Sequence, residues 1–432
     1  MLASYRQDWS RDPDAGTPLA VVRANSTADV QAVLRWATEH RVPVVPRGAG
    51  SSLSGGSTAV EGGITLSLER MREISIDSVT RVAVAQPGAF NAEVKKAAAG
   101  HGYWYPPDPS SFEICSIGGN AATNAGGLCC VKYGVTTDYV LGMEVVLADG
   151  TVVRLGGPRL KDVAGLSLTK LFVGSEGTLG VITEVTLRLL PAPPPASTLV
   201  ATFDSIEASA AAVVAITATL RPSMLELMDN GAINAVEDMV NMGLDRTAGA
   251  LLIARSDAPG DAAAGEIASI EKACRDNGAS EVFTTDDPDE GEAFAAARRA
   301  AFPAMERIGT LLLEDVGVPV PELPALVHGI RAIATARDTV IVLVAHAGDG
   351  NTHPILAYPP GDAAAEARAR LAFGEVMDLA LSLGGTITGE HGVGRLKAAW
   401  LPAQLGPDVM ALTRRVKDAL DPQGILNPGV VL

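Results

Sequence analysis

The sequence predicts an α+β protein of two domains, and three observations carry that expectation. Leu19 to Val45 reads strand, helix, strand, the pattern of a βαβ unit with parallel strands. A proline-rich stretch, Pro191-Ala-Pro-Pro-Pro195, stands where no central strand can continue and marks a domain boundary. Beyond it, strand–helix pairs recur in a different arrangement, as expected of an α+β domain covering the first. The expected divisions are 1–191, 192–415, and a C-terminal segment 416–432 that returns to the first domain. At 432 residues the chain can form two large domains or about three of ordinary size, each with a core of its own.

The elements follow from local pattern. Ser26 or Thr27 can cap a helix whose apolar face is Val30, Val33, Leu34 and Ala37, and His40-Arg41 closes it at the negative end of its dipole. Val42–Pro46 is a short strand, and strands are expected near Ile64–Leu68 and Arg81–Ala85. Asn91 to Ala99 reads as a helix stopped by Gly100 and Gly102. Tyr139–Leu147 and Thr151–Leu155 flank Ala-Asp-Gly, a hairpin turn, and Val181–Leu190 alternates like a half-buried strand. In the second domain, Thr198–Phe203, Ile206–Leu220 and Met224–Met228 give strand, helix, strand. Ala250–Ala254 and Ala262–Arg275 repeat the strand–helix pair before Gly278, and further segments run to about Leu383.

Composition excludes several classes. Hydrophobic residues make up 47% and charged residues 19%, which no disordered solvating chain matches. Lys and Arg total 34 against 50 Asp and Glu, a net charge of −16 that repels nucleic acid and anionic lipid. Aromatics are only 4%, too few for base-stacking platforms. Cys115, Cys129, Cys130 and Cys274 form no CxxC pair; they read as small buried side chains, with a redox pair at 129–130 as the alternative. The first residues lack a signal peptide's apolar core, and Val340–Ala345 is far short of the ~20 residues a membrane span needs. A soluble, cytoplasmic protein of a reducing compartment is expected.

Glycine is the informative excess, 45 residues in clusters. Arg47-Gly-Ala-Gly-Ser-Ser-Leu-Ser-Gly-Gly56 follows a strand and can nest an anion with backbone N–H groups and hydroxyls. Leu53 stands where a dinucleotide fingerprint needs its third glycine, and no Gly-Lys-Ser/Thr follows, so neither that motif nor a P-loop fits. Three further segments are likewise rich in small and polar residues. They are Tyr105-Pro-Pro-Asp-Pro-Ser-Ser111, Ser116-Ile-Gly-Gly-Asn-Ala-Ala-Thr-Asn-Ala-Gly-Gly127 and Phe172-Val-Gly-Ser-Glu-Gly-Thr-Leu-Gly-Val-Ile-Thr183. A long, flat ligand with a diphosphate in its middle would use such a surface.

In order and spacing, Pro46-Arg-Gly-Ala-Gly50, Gly118-Gly-Asn120 with Asn124-Ala-Gly-Gly127, and Gly174-Ser-Glu-Gly-Thr-Leu-Gly180 resemble the FAD domain of vanillyl-alcohol-oxidase-type flavoproteins, the PCMH-type fold. The resemblance implies that Arg47, Gly48, Ala49, Gly50, Ser51, Ser52 and Gly55 hold the FAD diphosphate. Ser116, Gly118, Gly119, Asn120, Asn124 and Gly126 would share that role. Pro107, Asp108, Thr123, Gly174, Glu176, Gly180 and Ile182 would line the adenosine and flavin ends. Relatives with covalent flavin carry a histidine in the first loop; Ala49, Ser51 and Ser52 stand there, so FAD is expected to be non-covalent.

Of six histidines, His346, His353 and His391 sit beside glycines and polar residues. If Asp349-Gly350 are the centre of a two-residue turn, Gly348 pairs with Asn351, Ala347 with Thr352 and His346 with His353. The imidazoles would then face each other with Cβ atoms ~5 Å apart, a start for a divalent-metal site. Gly384-Gly-Thr-Ile-Thr-Gly-Glu-His-Gly-Val-Gly-Arg395 offers Glu390, at the end of a short strand between glycines, as third ligand, and three ligands with an open position make a catalytic site. The alternative is two satisfied core histidines with Glu390 paired to Arg395.

His346-Ala-Gly-Asp-Gly-Asn-Thr-His-Pro354 and Gly389-Glu-His-Gly-Val-Gly394 narrow the resemblance to FAD-linked 2-hydroxy-acid oxidases and dehydrogenases. These include the glycolate oxidase flavin subunit and the D-lactate and D-2-hydroxyglutarate dehydrogenases, and the likeness runs from about Tyr5 to Pro428. It implies an α+β, ferredoxin-like-derived substrate cap as the second domain. It implies zinc, manganese or iron on His346, His353 and Glu390, and His391 as base. Arg298, or its neighbour Arg299, would grip the substrate carboxylate, Asn351 would touch substrate or metal, and Asn427 would return the C-terminus to the flavin. The implied reaction is metal-assisted oxidation of a small D-2-hydroxy acid, with hydride transfer to flavin N5. The flavin would be reoxidised by quinone, cytochrome, electron-transfer flavoprotein or dioxygen. Leu311-Leu-Leu-Glu-Asp-Val316 offers no extra cation for a dicarboxylate, so glycolate or D-lactate is expected over D-2-hydroxyglutarate. A homodimer or partner subunits are compatible. The rivals are a flavin-free metal hydrolase and a non-catalytic flavin subunit of a larger oxidase.

Overall fold

The computed structural model describes residues 2–431. The chain divides into two compact units: Met1–Gly127 with Gly134–Ala192 and Glu390–Leu432, and Leu128–Tyr133 with Pro193–Gly389. The first division lies between Ala192 and Pro193, within the proline-rich stretch. The second falls at Glu390 and not at 416, because the helical stretch Leu401–Leu420 is tied into the first unit. There Lys417 Nζ donates to the Thr178 and Leu426 carbonyls at 2.7 and 2.8 Å. The short excursion Leu128–Tyr133 belongs with the second unit because Leu128 joins its apolar core.

In the first unit, β1 (Ala20–Arg23), β2 (Val44–Arg47) and β3 (Ile64–Ser67) form a parallel sheet in the order β1-β3-β2. The expected βαβ unit is present, with β3 inserted between its strands. Its helix, Thr27–His40, is capped by the Ser26 side chain, which accepts from Asp29 N–H, and ends at Arg41 with φ 55°. Val30, Leu34 and Ala37 bury its inner face with Val44, Leu66 and Leu426, so a C-terminal residue completes this core. β4 (Ile74–Asp77), β5 (Val82–Ala85), β6 (Tyr103–Trp104), β7 (Val140–Val146), β8 (Val152–Gly156), β9 (Val181–Arg188) and β10 (Leu190–Pro191) follow. Five of them make an antiparallel sheet, β4-β5-β9-β7-β8, while β6 pairs with β10. The helix Asn91–Ala99 has the bounds its sequence predicts.

The second unit is one antiparallel sheet with helices. Its strands are β11 (Ser197–Phe203), β12 (Met224–Asp229), β13 (Ala250–Ser256), β14 (Ala279–Thr285), β15 (Thr310–Leu313), β16 (Val316–Gly317), β17 (Val340–His346) and β18 (Asn351–Tyr358). They run β14-β11-β13-β12-β17-β18-β15, with β16 also on β18. The first four strands with helices Ile206–Thr217 and Asp261–Asp276 follow the β-α-β-β-α-β arrangement of ferredoxin-like folds, with a further helix, Asn230–Val240, between β12 and β13, and β17 extends that sheet beside β12. Val200, Met228, Ile253, Val344 and Ile355 form its core. None of the four cysteines forms a disulfide; Cys130 is half-buried and the other three are buried. No helix among the described residues is long and apolar enough to cross a membrane.

Candidate functional site

The small-residue segments converge within the first unit. A Cβ on Gly48 would lie 2.1 Å from Ser116 Oγ, and Ala49 N–H donates to that oxygen at 3.3 Å. Ser116 also caps the helix Ile117–Thr123, accepting from Gly119 N–H. Gly174 and Glu176 donate N–H groups to the Ala121 and Ala122 carbonyls at 2.9 and 2.8 Å. A Cβ on Gly127, at φ 154°, would meet the Asp108 carbonyl at 2.3 Å. Asn427 Nδ2 donates to the carbonyls of Gly56 and Glu176 at 2.8 and 2.7 Å. The segments at 47–56, 107–108, 116–127 and 174–180, with Asn427, therefore share one locale. Ser175 Oγ and Asn427 Oδ1 are buried there without a hydrogen-bond partner, as residues that receive a polar ligand would be. The backbone cradle and these atoms fit a dinucleotide.

Several side chains of these segments are engaged within the chain. The Arg47 guanidinium folds against Gly50 and donates to the Ser57 carbonyl at 3.2 Å, bracing its own loop. Asn120 is held between Asn91 Nδ2, at 3.0 Å, and Cys115 Sγ, at 3.3 Å. Asn124 Oδ1 accepts from Thr137 N–H and Thr123 Oγ1 donates to the Gly119 carbonyl. Gly180 packs on Val145, and Ile182 is buried opposite Val145 in the β7–β9 ladder. For these residues, packing and loop shape account for the side chain.

Glu176 has a role its sequence context does not reveal. Its carboxylate accepts from the N–H groups of Val393 and Gly394 at 2.8 and 2.9 Å, holding the C-terminal stretch to the 174–180 segment. Burial pushes its pKa up to about 7, against those two bonds and the Lys397 charge. Between pH 4.5 and about 7 the folded chain keeps a proton that the unfolded chain has lost. The carboxyl's contribution is thus fully present below 4.5 and lost as pH rises through 7. Glu176→Gln is expected to flatten the pH dependence of urea unfolding in this window, by about 3 kcal/mol at most. An unchanged slope contradicts this.

The second unit gathers the histidine pair. The hairpin register differs from the expected one: His346 pairs with Asn351, Ala345 with Thr352 and Val344 with His353. Ala347–Asp349 form a 3₁₀ turn and Gly350 takes φ 79°, so the loop holds four residues. A Cβ on Gly350 would lie 2.2 Å from the Val318 carbonyl, which fixes that turn by tertiary contact. The slip is two residues, not one, so both imidazoles stay on one face of the sheet. They meet diagonally and edge to face, ring centroids 4.9 Å apart. Both are buried.

Carboxylates back this pair. Glu226 lies opposite His346 in the β12–β17 register and receives its Nδ1 at 2.8 Å. Arg298, in the last turn of the helix Pro288–Arg299, is buried with Nε 3.0 Å from the same carboxylate. Arg299 instead pairs with Glu292, so Arg298 is the arginine that points inward. His353 Nδ1 is 3.7 Å from Asp315 Oδ1. Asp315 Oδ2 in turn accepts from Thr388 Oγ1 at 2.6 Å and Gly389 N–H at 3.0 Å. Asn351 is buried, its Oδ1 lacks a hydrogen-bond partner, and a Cβ on Gly389 would meet that oxygen at 2.3 Å. Two imidazoles on one face with a carboxylate behind each are a donor set that fits a divalent ion.

Glu390 and His391 follow Gly389 directly in the chain and open the last segment of the first unit. The expected short strand is absent; the backbone bends, with Gly392 and Gly394 at φ 85° and 55°. Ser54 Oγ donates to the His391 carbonyl at 3.0 Å. His391 Nε2 and Glu390 Oε1 approach to 3.7 Å, whereas neighbours in an extended strand point apart. Arg395 pairs with Asp12, not with Glu390. Glu226 and Asp315 are the residues sequence reasoning missed. The signal for Glu226 was an acid inside the apolar run Met224-Leu-Glu-Leu-Met228, where an unpaired charge is costly.

Known proteins share both halves. Residues 18–156 match the family model described as FAD binding domain, and residues 192–431 match FAD linked oxidases, C-terminal domain. The glycolate oxidase subunit GlcD of Bacillus subtilis is 42% identical over 95% of this chain and 88% of its own length. A D-lactate dehydrogenase of Archaeoglobus fulgidus is 34% identical over 97% and 93%. Among solved structures, p-cresol methylhydroxylase with bound substrate superposes with a TM-score of 0.82 at 19% identity, over 99% of this chain and 92% of that one. At that identity the likeness speaks for the PCMH-type fold.

Proposed function

Because the chain belongs to the FAD-linked oxidases, we propose that it oxidises a small D-2-hydroxy acid, glycolate or D-lactate before D-2-hydroxyglutarate, to the 2-oxo acid. It is an FAD-dependent oxidoreductase of hydroxy acids. The finer reading rests on one observation: His346 and His353 on one face of the sheet, and Arg298 at the end of the helix Pro288–Arg299, are buried together with Glu226 and Asp315. His346 and His353, joined by Glu390, would hold zinc, manganese or iron. Bound FAD supplies two-electron acceptance at its ring system, and a divalent ion supplies Lewis acidity toward the substrate hydroxyl.

The chain's own residues do the rest. Arg298 presents its planar guanidinium to the substrate carboxylate, which fixes the acid's orientation. His391 takes the hydroxyl proton on an imidazole nitrogen. Asn351, with a buried amide oxygen lacking an internal partner, serves the substrate or the ion. The cradle of Gly48, Ala49, Ser116 and Asn427 holds FAD without a covalent link. Partner subunits are part of the proposal, since the Bacillus subtilis relative is named as a subunit. The acceptor would be a quinone, a cytochrome, an electron-transfer flavoprotein or dioxygen.

A dye-linked assay of the full chain with glycolate, D-lactate and D-2-hydroxyglutarate tests this, after acid treatment of a parallel sample. Expected are FAD in the acid supernatant and faster turnover of the two small acids. Turnover of D-2-hydroxyglutarate alone selects the dicarboxylate alternative. Turnover of none contradicts the proposal.

A further inference from the structure

We infer that Glu226 is a positioning residue that sets the ring state of His346 and the placement of Arg298 together. The inference deepens the proposed function and rests on its metal reading. Glu226 is fully buried in β12, among Met224, Leu225, Leu227 and Met228, which are buried as well. Its carboxylate meets His346 Nδ1 with Oε1 at 2.8 Å and Oε2 at 2.9 Å, and Arg298 Nε with Oε2 at 3.0 Å. One acidic side chain thus joins β12, β17 and the end of the helix Pro288–Arg299.

A carboxylate only accepts hydrogen bonds, so Nδ1 of His346 must carry the hydrogen. In the neutral ring, Nε2 then keeps the lone pair, the form a divalent cation requires. The edge-on His353 ring at 4.9 Å restricts rotation of His346. Arg298 gains an opposite charge where burial alone would disfavour it. The carboxylate therefore orients two side chains with different tasks, one toward the ion and one toward the substrate carboxylate. A purely structural strand would do as well with an apolar residue here, since well-packed hydrophobic replacements of buried ion pairs are often neutral or stabilising. Asp315 stands 3.7 Å from His353 Nδ1, so a different acid backs the second ring.

The test uses the full FAD-loaded chain and Glu226→Gln, measuring Mn²⁺ affinity by calorimetry and imidazole ¹⁵N shifts by NMR. Six histidines make the spectrum tractable, with His346 assigned by its loss in His346→Gln. Wild type is expected to show His346 as the Nδ1–H tautomer at neutral pH. In Glu226→Gln that tautomer preference should be lost and Mn²⁺ affinity should fall about 10–100-fold. KM for the hydroxy acid should rise while the flavin spectrum stays unchanged. Wild-type His346 in the Nε2–H form overturns the inference, and this reading does not depend on the variant folding. Glu226→Gln with unaltered tautomer and Mn²⁺ affinity also overturns it. If wild type binds no Mn²⁺, Zn²⁺ or Fe²⁺, the metal reading falls, and the ring shifts alone decide the role of Glu226.

Discussion

His391→Ala is expected to slow flavin reduction by a 2-hydroxy acid on the order of 10²–10⁴-fold, with FAD and metal contents retained. The residue follows Glu390 in a stretch that bends at Gly392 and Gly394, so neighbouring side chains need not diverge. Their approach to 3.7 Å shows that they do not. Glu390→Gln should behave differently at the adjacent position: metal content drops because a neutral amide is a poor ligand for a divalent cation. Stopped-flow reduction with metal analysis of the same samples separates the two roles. A His391→Ala protein that reduces its flavin at the normal rate removes this residue from proton transfer.

The other large effect belongs to the histidine pair. His346→Ala or His353→Ala is expected to remove bound divalent metal and lower turnover by more than about 100-fold, beyond what loss of an outer partner costs. Flavin content should stay near normal, because the residues assigned to FAD belong to the other compact unit. Either variant with full metal and full turnover contradicts the assignment. Excess Zn²⁺ or Mn²⁺ should not rescue these variants, whereas a protein that merely lost affinity at its periphery would recover.

Local structure is legible in the sequence where short-range chemistry decides it. The Ser26 cap and the Asn91–Ala99 helix each follow from a few neighbouring residues. The 116–127 segment reads in sequence only as a ligand loop, yet it opens with a helix. Ser116 supplies a cap that two adjacent glycines do not forbid. The hairpin register departs from expectation because Asp349-Gly350 looks like a two-residue turn, while contact with the Val318 backbone selects a longer one. The histidines still share a face because side-chain direction depends on the parity of the slip. β3 between β1 and β2, and the return of Leu401–Leu420 to the first unit, depend on contacts distant in sequence and leave no local trace. Glu226 and Asp315 lie far in sequence from the histidines they back, so their roles appear only in the folded sheet.

The most direct measurement of the central claim is anaerobic mixing of the purified full chain with D-lactate or glycolate, following the visible flavin band, with metal content assayed on the same sample. The predicted result is a yellow protein carrying a divalent metal whose flavin band bleaches on mixing, before any electron acceptor is added. A colourless protein, or a flavin band unchanged by glycolate, D-lactate and D-2-hydroxyglutarate in a metal-replete sample, would contradict it.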